Sequence, residues 1–211
     1  MIAAPPSDRV ELGQGAWYVL RRGWLTPDAA TRLHADIIKE TTWERRPVRN
    51  RDGSETTQPR LVGWAGALAY QYSGQTLDPR EPHPALLNVW RKVEHACEAA
   101  FNHAVLNRYR DGRDHMGLHT DREPQLGEQP LIAAVSVGAS RVFRLEWKHR
   151  RSRRRTLKLQ HGSLLVMGGT LQRHWRHAVP RVSGEVGERI NLTFRQLTPL
   201  STLTEDASTP P

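Results

Sequence analysis

From Ala104 onward the chain is written as short extended segments, and this texture limits the fold more than any other feature. The candidates are Ala104–Tyr109, Leu131–Val137, Val142–Trp147, Thr156–Leu159, Ser163–Met167 and Ile190–Gln196. Short strands separated by turn signals assemble as a β-sandwich or barrel, because each sheet must bury one face against another layer. Upstream the period changes. Thr26-Pro27-Asp28 reads as a helix start with proline in the first turn, and Ala30, Leu33, Ile37 and Ile38 give that helix one apolar face. Pro84 opens a second helix, in which Leu86, Leu87, Trp90, Val93, Cys97, Ala100 and Phe101 recur at spacings of three and four. Both helices are expected to pack outside the strands.

Three further segments complete the outline. Trp17–Leu20 suggests a short strand. Arg45–Pro59 is polar and turns at Asp52-Gly53, which suggests two arms of a ribbon. Residues 1–14 lack a strong period and read as a flexible lead-in, while 198–211, rich in Thr, Ser and Pro, reads as a disordered tail. A single domain is expected over 15–197, mainly β with flanking helices.

The net charge of +9 and a pI near 10.5 attract polyanions, though they say nothing of fold. Lys148, Arg150, Arg151, Arg153, Arg154 and Arg155 sit almost side by side, opposed locally only by Glu146. They read either as a solvated loop or as a loop that touches phosphates. No apolar run approaches the roughly 20 residues that span a bilayer, so no membrane association is expected. The first residues lack a basic segment leading into an apolar stretch, which argues against a signal peptide. The single cysteine, Cys97, excludes an internal disulfide and fits a reducing cytoplasm. On the apolar side of the second helix it reads as a small buried hydrophobe.

His119-Thr120-Asp121 places an imidazole and a carboxylate two residues apart, so an extended backbone sends both to one face. His177 lies downstream, beyond strands that can bring it back. Two histidines and a carboxylate form the facial triad of non-haem Fe(II) oxygenases, but a zinc hydrolase uses the same ligand types. A second motif bears on the choice. In Arg189–Arg195, alternation sends Ile190, Leu192 and Phe194 to one face and Arg189, Asn191, Thr193 and Arg195 to the other. Two guanidiniums, an amide and a hydroxyl on one face suit a dicarboxylate, which arginine grips bidentately. Asn107 and Tyr109 repeat the logic, with Leu106 facing away. A dicarboxylate beside a triad iron points to 2-oxoglutarate.

The motifs N-R-Y-R-D-G, H-T-D-R-E, H-G-S-L-L-V-M, W-R-H-A-V-P and R-I-N-L-T-F-R occur in this order over Asn107–Arg195. With Q-P-R-L and Y-Q-Y-S-G over Gln58–Gly74, the chain resembles the AlkB family of oxidative nucleic-acid demethylases, in particular the branch of the animal DNA-repair homologues. The resemblance implies a double-stranded β-helix, or jelly-roll, core over 104–197 and a helical, nucleotide-recognition part over 15–103. It implies Fe(II) held by His119, Asp121 and His177, its W-x-H-x-V-P pattern selecting His177 over His174. It implies 2-oxoglutarate, used with O2, held by Asn107, Tyr109, Arg189, Asn191, Thr193 and Arg195, with Arg189 on the distal carboxylate. Glu123, Tyr70, Tyr72, Trp64 and Ser73 would line the pocket for a damaged base.

The activity so implied is oxidative demethylation of alkylated bases such as N1-methyladenine and N3-methylcytosine, in DNA or RNA, releasing formaldehyde, succinate and CO2. A monomer is expected, in the cytosol of a bacterium or the nucleus of a eukaryote. A duplex-opening relative would carry an apolar wedge in the ribbon, and the polar Arg45–Pro59 favours single-stranded substrate. Two alternatives keep part of the pattern. A 2-oxoglutarate oxygenase of a protein or small molecule leaves the basic pI and Glu123 unexplained. A non-catalytic nucleic-acid-binding module leaves the triad and cradle unexplained.

Overall fold

The computed structural model describes residues 8–49, 52–72, 74–150 and 152–200, without the side chains of Arg49 and Tyr72. In chain order the elements are β1 (Val10–Gly13), β2 (Ala16–Arg21), α1 (Pro27–Glu40), β3 (Pro47–Arg49), β4 (Glu55–Thr57), β5 (Leu61–Gly66), β6 (Tyr70–Tyr72) and β7 (Gln75–Leu77). There follow α2 (Pro84–Cys97), β8 (His103–Tyr109), β9 (Met116–His119), a 3-10 turn at Pro124–Leu126, β10 (Ile132–Gly138), β11 (Arg141–Trp147) and β12 (Arg154–Leu159). The last are β13 (Ser163–Gly169), α3 (Leu171–His174), β14 (Trp175–Val179) and β15 (Arg189–Arg195).

Strand pairing makes two main antiparallel sheets. The larger runs β1-β2-β13-β10-β15-β8-β5 and the smaller β12-β11-β14-β9. Period-two alternation divides the larger sheet into an outer and an inner face. Outward, Ala104 and Leu106, Ala133, Val135 and Val137, and Ile190, Leu192 and Phe194 meet Leu33 and Ile37 of α1 and Leu86, Trp90 and Val93 of α2. Inward, Tyr109, Ile132, Ala134, Leu165 and Met167 meet Phe143, Leu145, Leu157 and Trp175 of the smaller sheet. The inner layer therefore holds both sheets together, and it is where β15 sends its polar residues.

The helices start as their sequences suggest. Thr26 Oγ1 accepts the Ala29 N–H at 3.3 Å and caps α1. At α2 the cap is His83, whose Nδ1 accepts the Leu86 N–H at 3.3 Å. This helix stops at Cys97, and Glu98 turns it out with a left-handed φ of 48°. The apolar period continues past the helix, so Ala100 and Phe101 belong to the following loop. Phe101 still packs on Phe194, with ring centroids 6.3 Å apart.

Within the lead-in expected over 1–14, Val10–Gly13 is strand β1, paired with β2, and residues 1–7 lie outside the described residues. Leu12 is buried in the inner layer, and Arg153 donates to the Leu12 carbonyl at 2.5 Å, which fastens the strand from outside. That guanidinium also lies over Trp147 and Trp175, so Arg153 serves the fold although, like Arg154 and Arg155, it remains exposed. Arg151 of the same run falls outside the described residues. The expected ribbon is present as β3 and β4, with Val48 opposite Thr56.

Phe194 is fully buried between sheet and helix, 5.5 Å from the Trp90 ring. Phe194→Ala should cost about 3–5 kcal/mol of stability in urea denaturation; a loss below about 1 kcal/mol would mean that α2 contributes little to holding β15.

Candidate metal centre and anion cradle

Strand β9 ends at His119, directly opposite His177 on β14. Asp121 follows two residues later, and the ligand atoms of His119, Asp121 and His177 all lie within 4.8 Å of one another. The imidazole centroids are 4.1 Å apart, and His119 Nε2 is 3.6 Å from Asp121 Oδ1. His119 Nδ1 donates to the Gly117 carbonyl at 2.9 Å, which leaves the Nε2 lone pair toward the cluster. His177 stacks on Phe143, 5.3 Å between ring centres. Burial, and then its neighbour His119, pushes the His177 pKa down to about 3; burial lowers His119 too. Both rings are thus neutral donors. Burial alone would raise Asp121, but the charge of the Arg195 guanidinium, followed by the two neighbouring imidazoles, holds its carboxyl well below the usual range. Two neutral imidazoles and one carboxylate make a donor set that fits a divalent first-row metal.

The cradle residues meet the same cavity. Register sets Asn107, Asn191 and Ser136 in one row across β8, β15 and β10, and Tyr109 beside Arg189 in the next. Asn107, Tyr109, Asn191, Thr193 and Arg195 line a cavity with His119, Asp121 and His177. Arg189 lies behind this lining, where Nη2 donates to Ser136 Oγ and Asn191 Oδ1, both at 2.8 Å. Asn191 Nδ2 continues the chain to Thr193 Oγ1 at 2.6 Å. Burial lowers Arg189 to about 10, which still leaves it charged. Its Nε and Nη1, and the same two atoms of Arg195, are buried with no hydrogen-bond partner among the described residues. Orphaned guanidinium donors of this kind fit an anionic guest.

Arg195 Nη2 donates to Asp121 Oδ2 at 2.8 Å with both side chains almost fully buried, so it also orients the carboxylate. Glu123 sits at the edge of this group; burial and then Asp121 raise its pKa, while the charge of Arg195 opposes the rise. Trp64 is not brought to the centre. It packs with Val62, Leu77 and Val105, donates to the Asp78 carbonyl at 2.8 Å and lies under Arg80, so its place is structural. The Tyr72 side chain and Ser73 lie outside the described residues. His174 stacks on Trp147, 5.2 Å between ring centres, and takes no part in the His–Asp–His cluster.

Three contributors had no distinct local signal. Ser136 shares the Arg189 guanidinium. Arg60 Nε donates to Asn107 Oδ1 at 2.6 Å, and Arg60 also lines the cleft beside the ribbon. Gln172 Oε1 accepts the Asp121 N–H at 3.1 Å, with α3 held by Lys148 Nζ on the Gln172 and Arg173 carbonyls at 3.0 and 2.7 Å.

Gln172 therefore positions Asp121 without touching a metal. Gln172→Leu should weaken Mn(II) binding to the apoprotein about tenfold, and Gln172→Glu, which keeps an acceptor, should recover most of it. Unchanged calorimetric affinity in Gln172→Leu would leave Asp121 held by Arg195 alone.

Residues 18–195 match the family model described as the 2OG-Fe(II) oxygenase superfamily. Alpha-ketoglutarate-dependent dioxygenase alkB homolog 3 of Bos taurus is 35% identical over 84% of this chain; the chain spans 65% of that protein, just short of two thirds. The Mus musculus protein of that name is 34% identical over 94% of this chain and 76% of its own length. DNA oxidative demethylase ALKBH2 of Mus musculus is 41% identical over 63% of this chain and 58% of its own length. The solved structure of OsALKBH1 shares the fold, with a TM-score of 0.58 and 16% identity over 89% of this chain and 99% of that one. The cluster, the cradle and these likenesses lead to one conclusion: the chain belongs to the 2OG-Fe(II) oxygenase superfamily, among its AlkB homologues.

Proposed function

We propose that the protein is an Fe(II)- and 2-oxoglutarate-dependent dioxygenase that demethylates alkylated bases in nucleic acid, built on a double-stranded β-helix within one domain over 15–197. One observation carries the reading: a His–Asp–His cluster and a row of dicarboxylate donors open into one buried cavity. When bound, Fe(II) with 2-oxoglutarate and O2 supplies the oxidising chemistry, by which the acid becomes succinate and CO2 and an N-methyl carbon leaves as formaldehyde. The rest is placement.

His119, Asp121 and His177 hold the metal on one side. Arg189, whose Nε and Nη1 are left over behind the lining, would pair with the distal carboxylate of 2-oxoglutarate, and Asn107, Tyr109, Asn191 and Thr193 would supply neutral hydrogen bonds. Arg195 keeps one oxygen of Asp121 occupied, so that the other is presented to the metal. The buried surroundings keep bulk water from the reacting centre.

The base enters through the cleft between the ribbon and β9, lined by Val48, Thr56, Gln58, Arg60, Met116 and Glu123 among others. N1-methyladenine and N3-methylcytosine are cations, and the Glu123 carboxylate offers them an opposite charge beside the Tyr70 hydroxyl. Tyr72 and Ser73 would complete the pocket. Strand β4, Glu55–Thr57, is exposed and polar, which suits a strand already open over one that must be pried apart.

Formaldehyde release from a single-stranded oligonucleotide bearing 1-methyladenine, with Fe(II) and 2-oxoglutarate, tests the reading. The wild-type protein should turn over, and Asp121→Ala should fall to background while oligonucleotide binding stays within about twofold. Turnover of 2-oxoglutarate with a peptide or small molecule but none with methylated oligonucleotides would move the protein to another substrate class.

A further inference from the structure

A second buried cation stands behind the anion cradle. Arg141 opens β11, on the same alternation that turns Phe143 and Leu145 into the inner layer, and only 2% of it is exposed. Three backbone carbonyls fix its fork. Nη1 donates to the Asp111 carbonyl at 3.0 Å, and Nη2 to those of Asp114 and Pro180, each at 2.8 Å. Nε is buried with no hydrogen-bond partner among the described residues. None of these acceptors carries a charge. The side chains of Asp111 and Asp114 are engaged elsewhere, with Arg113 and Arg110, each at 2.8 Å.

Tyr109, at the end of β8, joins this group to Arg189. The guanidinium carbon of Arg141 lies 5.5 Å from the Tyr109 ring centre, and that of Arg189 lies 5.2 Å from it. Arg189 also bonds only neutral side-chain oxygens, those of Ser136 and Asn191. Burial is the main cause of its lowered pKa, and the charge of Arg141 adds to the lowering. Two buried cations therefore surround one phenol, and neither forms an ion pair with a carboxylate among the described residues. A buried charge without a counter-charge is costly. Neutral donors would stitch three carbonyls as well, so the stitch alone does not account for the charge.

Resting on the reading of the cradle as the 2-oxoglutarate site, we infer that Arg141 is a specificity-determining residue, whose charge behind Tyr109 selects 2-oxo acids with an ionised far end. Arg189 alone would balance a tail carboxylate and leave that end of the cavity neutral. With Arg141 the end stays positive even when the acid is bound, and an apolar tail leaves both cations uncompensated. Screening is weak in a buried setting, so the second charge should change the affinity for a tail carboxylate on the order of tenfold. Arg141 thus acts from outside the cavity lining, by field and by its hold on the loop beside Tyr109.

The test titrates the Mn(II)-loaded protein calorimetrically with 2-oxoglutarate and with 2-oxopentanoate, which keeps the metal-binding end and ends in a methyl group. Arg141→Gln should lower the preference for 2-oxoglutarate about tenfold, while 2-oxopentanoate binds within about twofold of its wild-type affinity. Arg141→Lys keeps the charge without the planar fork and should hold the preference within about threefold, even at a lower melting temperature. Equal losses for both acids in Arg141→Gln, or a preference lost as fully in Arg141→Lys, would overturn the inference. A sign test in the wild-type protein stands even where a variant fails to fold. The tail of 2-oxo-4-phosphonobutanoate gains a second negative charge near neutral pH. Two cations accept that charge, so its affinity relative to 2-oxoglutarate should rise from about pH 6 to about pH 8.5, and a flat or falling ratio would mean a single cation. A wild-type protein that binds neither 2-oxoglutarate nor its analogues would instead overturn the reading of the cradle beneath it.

Discussion

The buried pair between Arg195 and Asp121 is the interaction on which the site depends. Arg195 ends the last strand of the larger sheet, and Asp121 follows the edge strand of the smaller one. At 2.8 Å, with both side chains about 95% hidden, each is the answer to the other's desolvation. A buried charge that loses its partner costs about 3–5 kcal/mol, so the two sheets must meet where these groups meet. The pair also divides the carboxylate: Oδ2 belongs to Arg195, and Oδ1 faces His119. Gln172 takes the same residue by its backbone, and Asp121 is thereby held from two sides.

The inner faces of the two sheets share two duties. Their ends near β1 and β12 are apolar and supply the cohesion, with Leu12, Leu157, Leu165 and Trp175 in one cluster. The strip along β15 gives up that cohesion for polar groups, which then satisfy one another from Ser136 through Arg189 and Asn191 to Thr193. Such a strip is tolerable because the opposite face of β15 is wholly apolar and is covered by α2. Stability from Ile190, Leu192 and Phe194 offsets what Arg189 and Arg195 cost, within a single strand.

Much of this was legible in the sequence because it follows short periods. The alternation of Arg189–Arg195, the helical stripes after Pro27 and Pro84, and the two-residue spacing of His119 and Asp121 all transmit directly into geometry. Strand β14 was not legible, since H-W-R-H-A-V-P mixes aromatic, basic and apolar residues without an alternating pattern; its position comes from pairing with β11 and β9. The single turn of α3 is too short to have a period, and Gln172 matters only because the fold sets it against Asp121, 51 residues away in sequence. Trp64 shows the reverse case. An aromatic beside a pocket motif invites a role in binding, yet its alternation on β5 turns it toward Asp78 and Arg80. Arg153 likewise has a role the charge run did not suggest, since its guanidinium bonds the Leu12 carbonyl of β1.

A metal cluster and an anion cradle that share one cavity should bind their guests together, and this is the claim that most needs measurement. Anaerobic calorimetric titration of 2-oxoglutarate into the Mn(II)-loaded protein and into its Arg189→Met variant addresses it directly. One equivalent should bind per chain, and the variant should bind roughly a hundredfold more weakly, as expected for losing a charge-assisted bidentate contact. Equal affinity in Arg189→Met would contradict the account, because the acid would then be held somewhere other than the row of donors on β15.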